Sequence, residues 1–350
     1  TTYEVIILAD TKKEHYVPRC YLKNFENEQE RINVFDKFKL QLRNQRIIEV
    51  AMENYFYDIN FDKMMELVKV DRIDKVKEDI LTITGAQDWE TVRKLMGNDK
   101  YIEKEFFAKQ ESLYNILLNR IIEKSHKGNQ WVIDNCSCCS DDEKLFLSCF
   151  IAIQIIRTKT FRESLGETIE KLYQTLAYKS QMNDEDALSK NEILVSADKD
   201  YVKLEHTNMI LNDDATMRFA ETLYNHLWVI YVNKTETSFY TSDNPVATIP
   251  HKFHKYMSYS GFNSDGIEIV FPISPTLLLG MYDKKTYYKH AKDRSYVAIT
   301  EKEEVDYFNE VQVTNSYRCV FSNQNDFEIA KKLCEKNPQL QQYQSRVEVL

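Results

Sequence analysis

The spacing of apolar residues changes twice along the chain, and these changes limit the possible folds more than any other feature. Up to about residue 58, short segments such as 31–35 have strand character. From about residue 60 to 187, apolar residues recur every three or four positions, which predicts helices. Strand-like segments then return after about residue 228, separated by turns that contain proline. The sequence therefore predicts an α+β protein in which a central helical block is inserted between N-terminal and C-terminal β-containing segments.

The same pattern predicts how the chain is divided. We expect an N-terminal β-containing segment with a histidine motif at 1–58, a mainly helical block at 59–213, a β-rich C-terminal segment at 214–337 and a tail at 338–350. The N-terminal and C-terminal segments are expected to pack together in one mixed or antiparallel sheet.

The clearest helix start within the block is the tetrapeptide Ser-Asp-Asp-Glu at 140–143. Its serine can accept a hydrogen bond from the third amide of the helix, while its glutamate bonds back to the serine amide. We expect the helix that begins here to run unbroken to about residue 180.

Composition excludes several classes of protein. The 350 residues include only 7 glycines, and neither the dinucleotide fingerprint nor the glycine-rich phosphate loop is present. The formal net charge of −9 is the opposite of what a general nucleic-acid coat protein requires, although local basic patches remain possible. The longest mostly apolar run, 145–156, is too short to span a bilayer. Seven cysteines without a visible signal peptide predict reduced thiols, so we expect a cytoplasmic protein with no membrane partner.

Three polar residues lie where the helical pattern predicts core. Glu111 interrupts an apolar stripe, while Gln154 and Arg157 lie one turn apart beside another. Burying an unpaired charge costs roughly several kcal/mol or more. We therefore expect Glu111 to pair with Arg157 and Gln154 to orient the pair. Two interpretations remain open: an ion pair that only fixes how two helices pack, or the polar lining of a functional cleft.

A histidine stands just before a predicted helix start. His15 is followed by Tyr16, Val17 and Pro18, and proline fits the first turn of a helix. A histidine held in this position can serve as a general acid or base, a metal ligand or a capping group. The structural alternative is a histidine bonded to the backbone or to a buried acid.

A second candidate lies at the end of a predicted strand. Asp243 belongs to the segment Thr-Ser-Asp-Asn-Pro at 241–245, which predicts a turn. Loops that follow strands often carry catalytic or metal-binding carboxylates. The alternative is a turn that simply closes a hairpin.

The segment His-Tyr-Val-Pro-Arg-Cys-Tyr-Leu-Lys-Asn-Phe at 15–25, together with 241–245, resembles the domain-of-unknown-function family numbered 4238, a prokaryotic group with no settled activity. The resemblance extends over most of 15–322 and implies no reaction. It implies that a polar set belongs to the family, namely Glu111, Gln154, Arg157 and Thr158. Glu53 is a further feature of the resemblance, and its carboxylate could hold the ring of His15 in one tautomer.

Basic and aromatic residues alternate at 283–294, a composition that can bind phosphates and stack bases. We take Lys285, Tyr287 and Lys289 as candidate substrate-binding residues, with a solvated edge strand as the alternative. A second basic stretch contains Lys37, Lys39, Arg43 and Arg46.

Our leading hypothesis is a hydrolase acting on nucleic acid or a nucleotide, similar to a nuclease and used in bacterial defence or as a toxin. His15 would act as base or acid, and Arg157 would stabilise developing negative charge. Asp243 or Glu111 would orient these catalytic side chains. The alternative is a non-enzymatic binding or interaction protein with a structural buried polar network. A smaller possibility is a metal-dependent enzyme using His15, Glu53 and Asp243, although no recognisable metal-binding motif is present. The sequence identifies no cofactor and no protein partner, and it leaves open whether the chain is an enzyme.

Overall fold

The computed structural model describes residues 13–66, 68–97, 102–126, 136–181, 188–255 and 258–345. Within these residues the architecture is α+β, as predicted, with strands towards both ends and helices in between. None of the helices described is both long enough and apolar enough to cross a membrane.

The N-terminal segment contains four strands and one short helix: β1 (Lys13–His15), α1 (Arg19–Leu22), β2 (Ile32–Asp36), β3 (Gln41–Gln45) and β4 (Met52–Asn54). β1 pairs with β4 in a two-stranded antiparallel sheet, in which Glu14 lies opposite Glu53. The short α1 follows Pro18 and buries Tyr21 and Leu22, which anchors the histidine motif to the core.

The central block contains eight described helices: α2 (Phe61–Glu66), α3 (Ile73–Thr84), α4 (Trp89–Met96), α5 (Ala108–His126), α6 (Asp141–Ile156), α7 (Lys159–Ser180), α8 (Lys199–Leu211) and α9 (Asp213–Tyr224). A π-helical turn, Ile102–Phe107, leads directly into α5. Such turns shift the side chains that follow them relative to a regular α-helix.

The expected capping box is present at the start of α6. The hydroxyl of Ser140 accepts a hydrogen bond from the amide of Glu143 at 3.1 Å, and the carboxylate of Glu143 accepts one from the amide of Ser140 at 2.8 Å. The prediction that this helix continues to residue 180 is wrong. α6 ends at Ile156, and Thr158 caps a new helix, α7, by accepting the amide of Phe161 at 3.2 Å. A threonine hydroxyl that bonds to the backbone competes with helix continuation, so the break needs neither glycine nor proline.

The C-terminal segment contains seven strands and three helices: β5 (Leu227–Asn233), β6 (Thr241–Ser242), β7 (Ala247–Pro250), β8 (Ile267–Ser274), β9 (Leu277–Tyr282), α10 (Lys284–Tyr287), β10 (Ser295–Ile299), α11 (Lys302–Asn315), β11 (Cys319–Ser322) and α12 (Glu328–Lys336). A 3₁₀ turn, Pro338–Gln341, follows α12.

The described strands form three sheets rather than the single sheet that we expected. One is the β1–β4 pair, and another has the order β10-β5-β9-β8-β7, mixed because β10 and β5 are parallel. The third has the order β3-β2-β11-β6, and here the N-terminal and C-terminal segments do pair, with Val34 opposite Phe321. β5, β8 and β9 are buried along nearly their whole length, so the five-stranded sheet is covered on both faces.

One large hydrophobic cluster joins the parts of the molecule. It includes Tyr21 of α1, Leu118 of α5, Ile151 of α6, Trp228 of β5 and Phe271 of β8. Each such side chain contributes about 1.5–3 kcal/mol when fully buried. The histidine motif, the two polar helices and the five-stranded sheet therefore share one core, which fixes the positions of the site residues.

Candidate functional site

Arg157 lies at the end of α6, where the helix break turns its side chain into the protein. Only 1% of its side chain is exposed. Its Nη1 donates to Oε1 of Glu111 at 2.9 Å, and its Nη2 donates to the carbonyl of His15 at 2.5 Å. The guanidinium also stacks on the ring of Phe107, 3.8 Å from the ring centroid. The side chain thus joins α5, α6 and the histidine motif.

Arg157 stays charged in this buried position. Burial by itself lowers the pKa of its guanidinium, but the phenol of Tyr57 and the carboxylates of Glu111 and Glu103 outweigh burial and raise that pKa. Glu103 lies on the far side of the guanidinium, 3.9 Å from Nη2. One cation is therefore held between two carboxylates.

His15 is paired with Glu103. The residue is 4% exposed, and its Nδ1 lies 3.3 Å from Oε1 of Glu103. Burial works to raise the pKa of the Glu103 carboxyl, but the bond to His15 and the charge of Arg157 bring it below its ordinary value. Nε2 of His15 has no hydrogen-bond partner among the residues that the structure describes. Glu103 therefore orients the ring and leaves the second nitrogen, which is buried, without a described hydrogen-bond partner.

The sequence led us to Glu53 as the partner of His15, and the structure places it elsewhere. Glu53 accepts a hydrogen bond from Lys159 at 2.7 Å. Glu103 escaped notice because it lies in the π-helical turn, where α-helical spacing does not predict which side chains face inward. The sequence signal that could have identified Glu103 is a glutamate within the six residues that precede α5.

Gln154 lies on α6 one turn before Arg157 and is buried. Neither atom of its amide has a hydrogen-bond partner among the described residues, and the same is true of the hydroxyl of Tyr114. Two contacts join α5 to α6 near this residue: the ion pair of Arg157 with Glu111, and the stacked rings of Phe150 and Tyr114, whose centroids are 4.9 Å apart. Gln154 lies between these two contacts along α6. Such groups are costly to bury without a partner, so this interface is suited to a small polar molecule.

Asp243 does not join the His15 cluster, by which we mean His15, Glu103, Glu111, Gln154 and Arg157. Its carboxylate accepts hydrogen bonds from three successive amides at 2.8, 2.9 and 2.7 Å: those of Tyr317, Arg318 and Cys319. Burial raises the pKa of Asp243, while the amides and Lys37 oppose that rise. The residue fixes the turn between α11 and β11, and its oxygens are occupied by the backbone.

A cleft of about 350 Å³ opens beside Asp243, between β4, α7 and the β3-β2-β11 part of the four-stranded sheet. Arg318 binds Asp36 with two hydrogen bonds of 2.9 and 2.7 Å, and Arg43 adds a third of 3.2 Å. Lys159 and Glu53 line another side. We call this space the Arg43 cleft. The basic stretch seen in the sequence contributes to it only in part, because Lys37 is buried and donates to two backbone carbonyls.

The candidate substrate-binding residues of the C-terminal segment lie away from both places. Lys285 belongs to α10 and is largely exposed, Tyr287 packs against Tyr282 with ring centroids 5.2 Å apart, and Lys289 lies over Tyr288. The hydroxyl of Tyr287 approaches the carbonyl of Gly266, whereas the hydroxyl of Tyr21 bonds to that of Pro272 near the other end of β8. These two points are roughly 20 Å apart along a strand.

The residues of the metal-dependent hypothesis do not come together. His15 is paired with Glu103, Glu53 with Lys159, and Asp243 with backbone amides. Within the described part of the chain, no three His, Cys, Asp or Glu side chains are grouped so that they could hold a metal ion.

The chain belongs to the family described as "Protein of unknown function (DUF4238)", whose profile matches residues 13–326 of the 350. The resemblance seen in the two sequence motifs is thereby confirmed. No curated protein and no solved structure was found to match the chain. Function must therefore be argued from the geometry of the His15 cluster and the Arg43 cleft.

Glu14, next to His15, is a fully buried carboxyl group. It accepts a hydrogen bond from the amide of Tyr57 at 2.8 Å. Burial, followed by the nearby charge of Asp58, raises its pKa from 4.5 to about 7. The unfolded chain therefore loses this proton near pH 4.5 and the folded chain only near pH 7, so the free energy of unfolding falls as pH rises through that interval.

We expect Glu14→Gln to remove this pH dependence. Glutamine keeps an acceptor for the Tyr57 amide and carries no charge, so the variant should be more stable than the parent by about 1–3 kcal/mol at pH 8 and by little at pH 5. Urea unfolding at the two pH values measures the difference. Glu310→Gln, at an exposed position of α11, is the control. An equal gain at both pH values would contradict the expected cause.

Proposed function

We propose that this protein is a hydrolase acting on nucleic acid or a nucleotide, with His15 as its general acid and base. The observation that supports this most is the arrangement of the imidazole. Glu103 binds Nδ1, which leaves the buried Nε2 without a described hydrogen-bond partner, while the carbonyl of the same residue accepts from the charged Arg157. A ring oriented by a carboxylate on one nitrogen, with the other nitrogen free to exchange a proton, is the arrangement that general acid–base catalysis requires.

The proposed reaction is the hydrolysis of a phosphodiester. Nε2 of His15 accepts a proton from a water molecule, whose oxygen bonds to phosphorus while the bond from phosphorus to the leaving oxygen breaks. The proton then passes from Nε2 to the leaving oxygen, giving a phosphomonoester and a free hydroxyl. Nε–H of Arg157, which has no described acceptor, is suited to stabilising charge on the phosphoryl oxygens. Glu111 and Glu103 act as positioning residues.

The charges of the His15 cluster restrict how a substrate is held. Glu103 and Glu111 together outweigh Arg157, so the cluster alone does not attract a polyanion. Affinity for a nucleic acid or a nucleotide would have to come from positive groups outside the cluster. The cluster supplies proton transfer, and binding must occur beside it.

We place the reaction in the cytoplasm of a prokaryotic cell, in a defence or toxin role. All seven cysteines are free thiols, as proteins of a reducing compartment commonly have. This setting is part of the proposal, and its prokaryotic part is what the sequence resemblance implies.

Replacing His15 by asparagine tests the proposed role. The asparagine amide can donate to Glu103 as Nδ1–H does, but it has no second ring nitrogen. We expect His15→Asn to fold and its turnover rate to be about 100-fold lower than that of the parent, or lower still. The substrates are bis(p-nitrophenyl) phosphate, end-labelled single-stranded RNA and DNA, and ATP, each with and without Mg²⁺.

The matched control is His226→Asn. Like His15, His226 is buried and has no described partner for Nε2, but its Nδ1 bonds the carbonyl of Thr222, at 2.7 Å, rather than a carboxylate. It stands between α9 and β5, outside the His15 cluster. Full turnover by His15→Asn, or no hydrolysis of any of the substrates by the parent protein, would refute the proposal.

The alternative is a non-enzymatic binding protein in which the cluster is only structural. One observation favours it: the carbonyl of His15 accepts hydrogen bonds from both Arg157 and the hydroxyl of Tyr57, the latter at 3.1 Å, as in a packing joint. In that case the only effect of Glu103→Gln would be a lower stability of the protein. If His15 is the catalytic base, Glu103→Gln would also lower turnover at a pH where the variant is fully folded.

A further inference from the structure

We infer that the Arg43 cleft binds a nucleotide, with the phosphate on its two arginines and the base on its aromatic side chains. This inference deepens the proposed function, because it names the place where the substrate of the His15 cluster would be held. It can be tested without turnover.

The cleft carries more positive than negative charge, although the chain as a whole has a net charge of −9. Asp36, which lies behind the cleft, is shared by Arg43 and Arg318. Glu53 is likewise shared, by Lys159 at 2.7 Å and Arg162 at 3.6 Å. In each set one carboxylate faces two cations.

Two further acids line the cleft, Glu49 and Asp243. Glu49 is paired with Arg46, whereas the three amides that bond Asp243 carry no net charge. The lining and its bonded partners thus hold five cations (Arg43, Arg46, Lys159, Arg162 and Arg318) and four carboxylates (Asp36, Glu49, Glu53 and Asp243), which leaves about one net positive charge and favours an anionic ligand.

The arginines keep donors that a phosphate can use. Their side chains are 39% exposed for Arg43 and 37% for Arg318. Arg43 uses only Nη2 in its described hydrogen bonds, so its Nε and Nη1 remain open to a ligand. Arg318 uses Nε and Nη2 on Asp36, which holds the plane of its guanidinium still. A fixed, planar pair of guanidinium groups suits the oxygens of a phosphate better than mobile lysines do.

Four aromatic residues line the same cleft: Tyr16, Phe38, Tyr317 and Phe321. The rings of Phe38 and Tyr317 have centroids 6.0 Å apart, and the guanidinium of Arg318 lies over Phe38. A base can stack on such rings regardless of its identity. The volume of about 350 Å³ also suits one nucleotide.

The cleft adjoins the His15 cluster through the chain itself. Tyr16 lines the cleft and directly follows His15, while Lys159 lines it two residues after Arg157. Under the proposed function, a phosphate held on Arg43 and Arg318 would belong to the substrate of that cluster.

Titration calorimetry at low salt tests the inference with four probes: inorganic phosphate, AMP, ATP and an eight-residue oligothymidylate. We expect AMP to bind more tightly than inorganic phosphate, and Arg43→Gln to weaken AMP binding about tenfold. The control is Arg31→Gln, because Arg31 lies on the same β2–β3 hairpin, is bonded to Asn44 and is not part of the cleft lining.

Each outcome decides the matter. No binding of any probe by the folded parent protein, or unchanged AMP binding by Arg43→Gln, would overturn the inference. Equal affinities for AMP and inorganic phosphate would overturn the stacking of a base. Tighter binding of the oligomer than of AMP, lost in Arg43→Gln, would support the phosphate site and identify a polymer as its source. Binding without turnover would support the cleft while removing the proposed hydrolysis.

Discussion

Arg157→Ala is expected to lower the free energy of unfolding by about 3–5 kcal/mol, because it leaves two partly buried carboxylates without their fully buried cation. Glu111 and Glu103 would then face each other's charge in a poorly solvated space, and the carbonyl of His15 would lose a donor. Truncation also removes the group stacked on Phe107. Urea unfolding followed by circular dichroism at pH 7 measures the loss.

The control for this prediction is Arg120→Ala. Arg120 also links α5 to α6, through a 3.0 Å ion pair with Glu143, but 69% of its side chain is exposed. Such pairs contribute about 0–1 kcal/mol, so this variant should unfold almost as the parent does. A fully stable Arg157→Ala protein without activity would show that the guanidinium is held for chemistry alone.

Asp243→Ala is expected to have an effect of similar size, about 2–4 kcal/mol, although Asp243 has no place in the proposed reaction. Three amides would lose one shared acceptor, and each buried donor without a partner costs about 1–3 kcal/mol. Asp243→Asn should fall between the parent and the alanine variant, because its single amide oxygen replaces two carboxylate oxygens. Thermal and urea unfolding of the three proteins measures this order.

Asp265→Ala serves as the control for Asp243. Asp265 is exposed and makes only long ion pairs, of 4.0 and 3.9 Å, with Lys252 and Lys285. Its replacement should change stability by no more than about 0.5 kcal/mol. If Asp243→Ala were as stable as the parent and lost turnover, the catalytic hypothesis for Asp243 would have to be restored.

The elements that the sequence predicted well are those whose signals are local. The capping box at Ser140 depends on four consecutive residues, and α11, β11 and α12 each carry a regular pattern of their own. The pattern around Glu111 and Arg157 likewise led to their pairing, because an unpaired buried charge is so unfavourable.

The features that the sequence did not reveal depend on distant partners or on small departures from regular helices. His15 and Glu103 are 88 residues apart, and Arg318 and Asp36 are 282 apart. The helix break at Thr158 arises from one hydroxyl, and the π-helical turn changes which way Glu103 points. No periodic pattern in a single sequence carries this information.

The pairing of β2 with β11 has a consequence for how the protein is made. On the ribosome, the β2–β3 hairpin emerges long before residues 319–322, so one edge of β2 stays unpaired while nearly all of the chain is synthesised. Unpaired strand edges invite association with other chains, and closing so distant a contact is slow. The nascent protein is therefore a natural client for chaperones. Since Arg43 and Arg318 approach each other only when this last strand docks, a half-made chain cannot present the cleft.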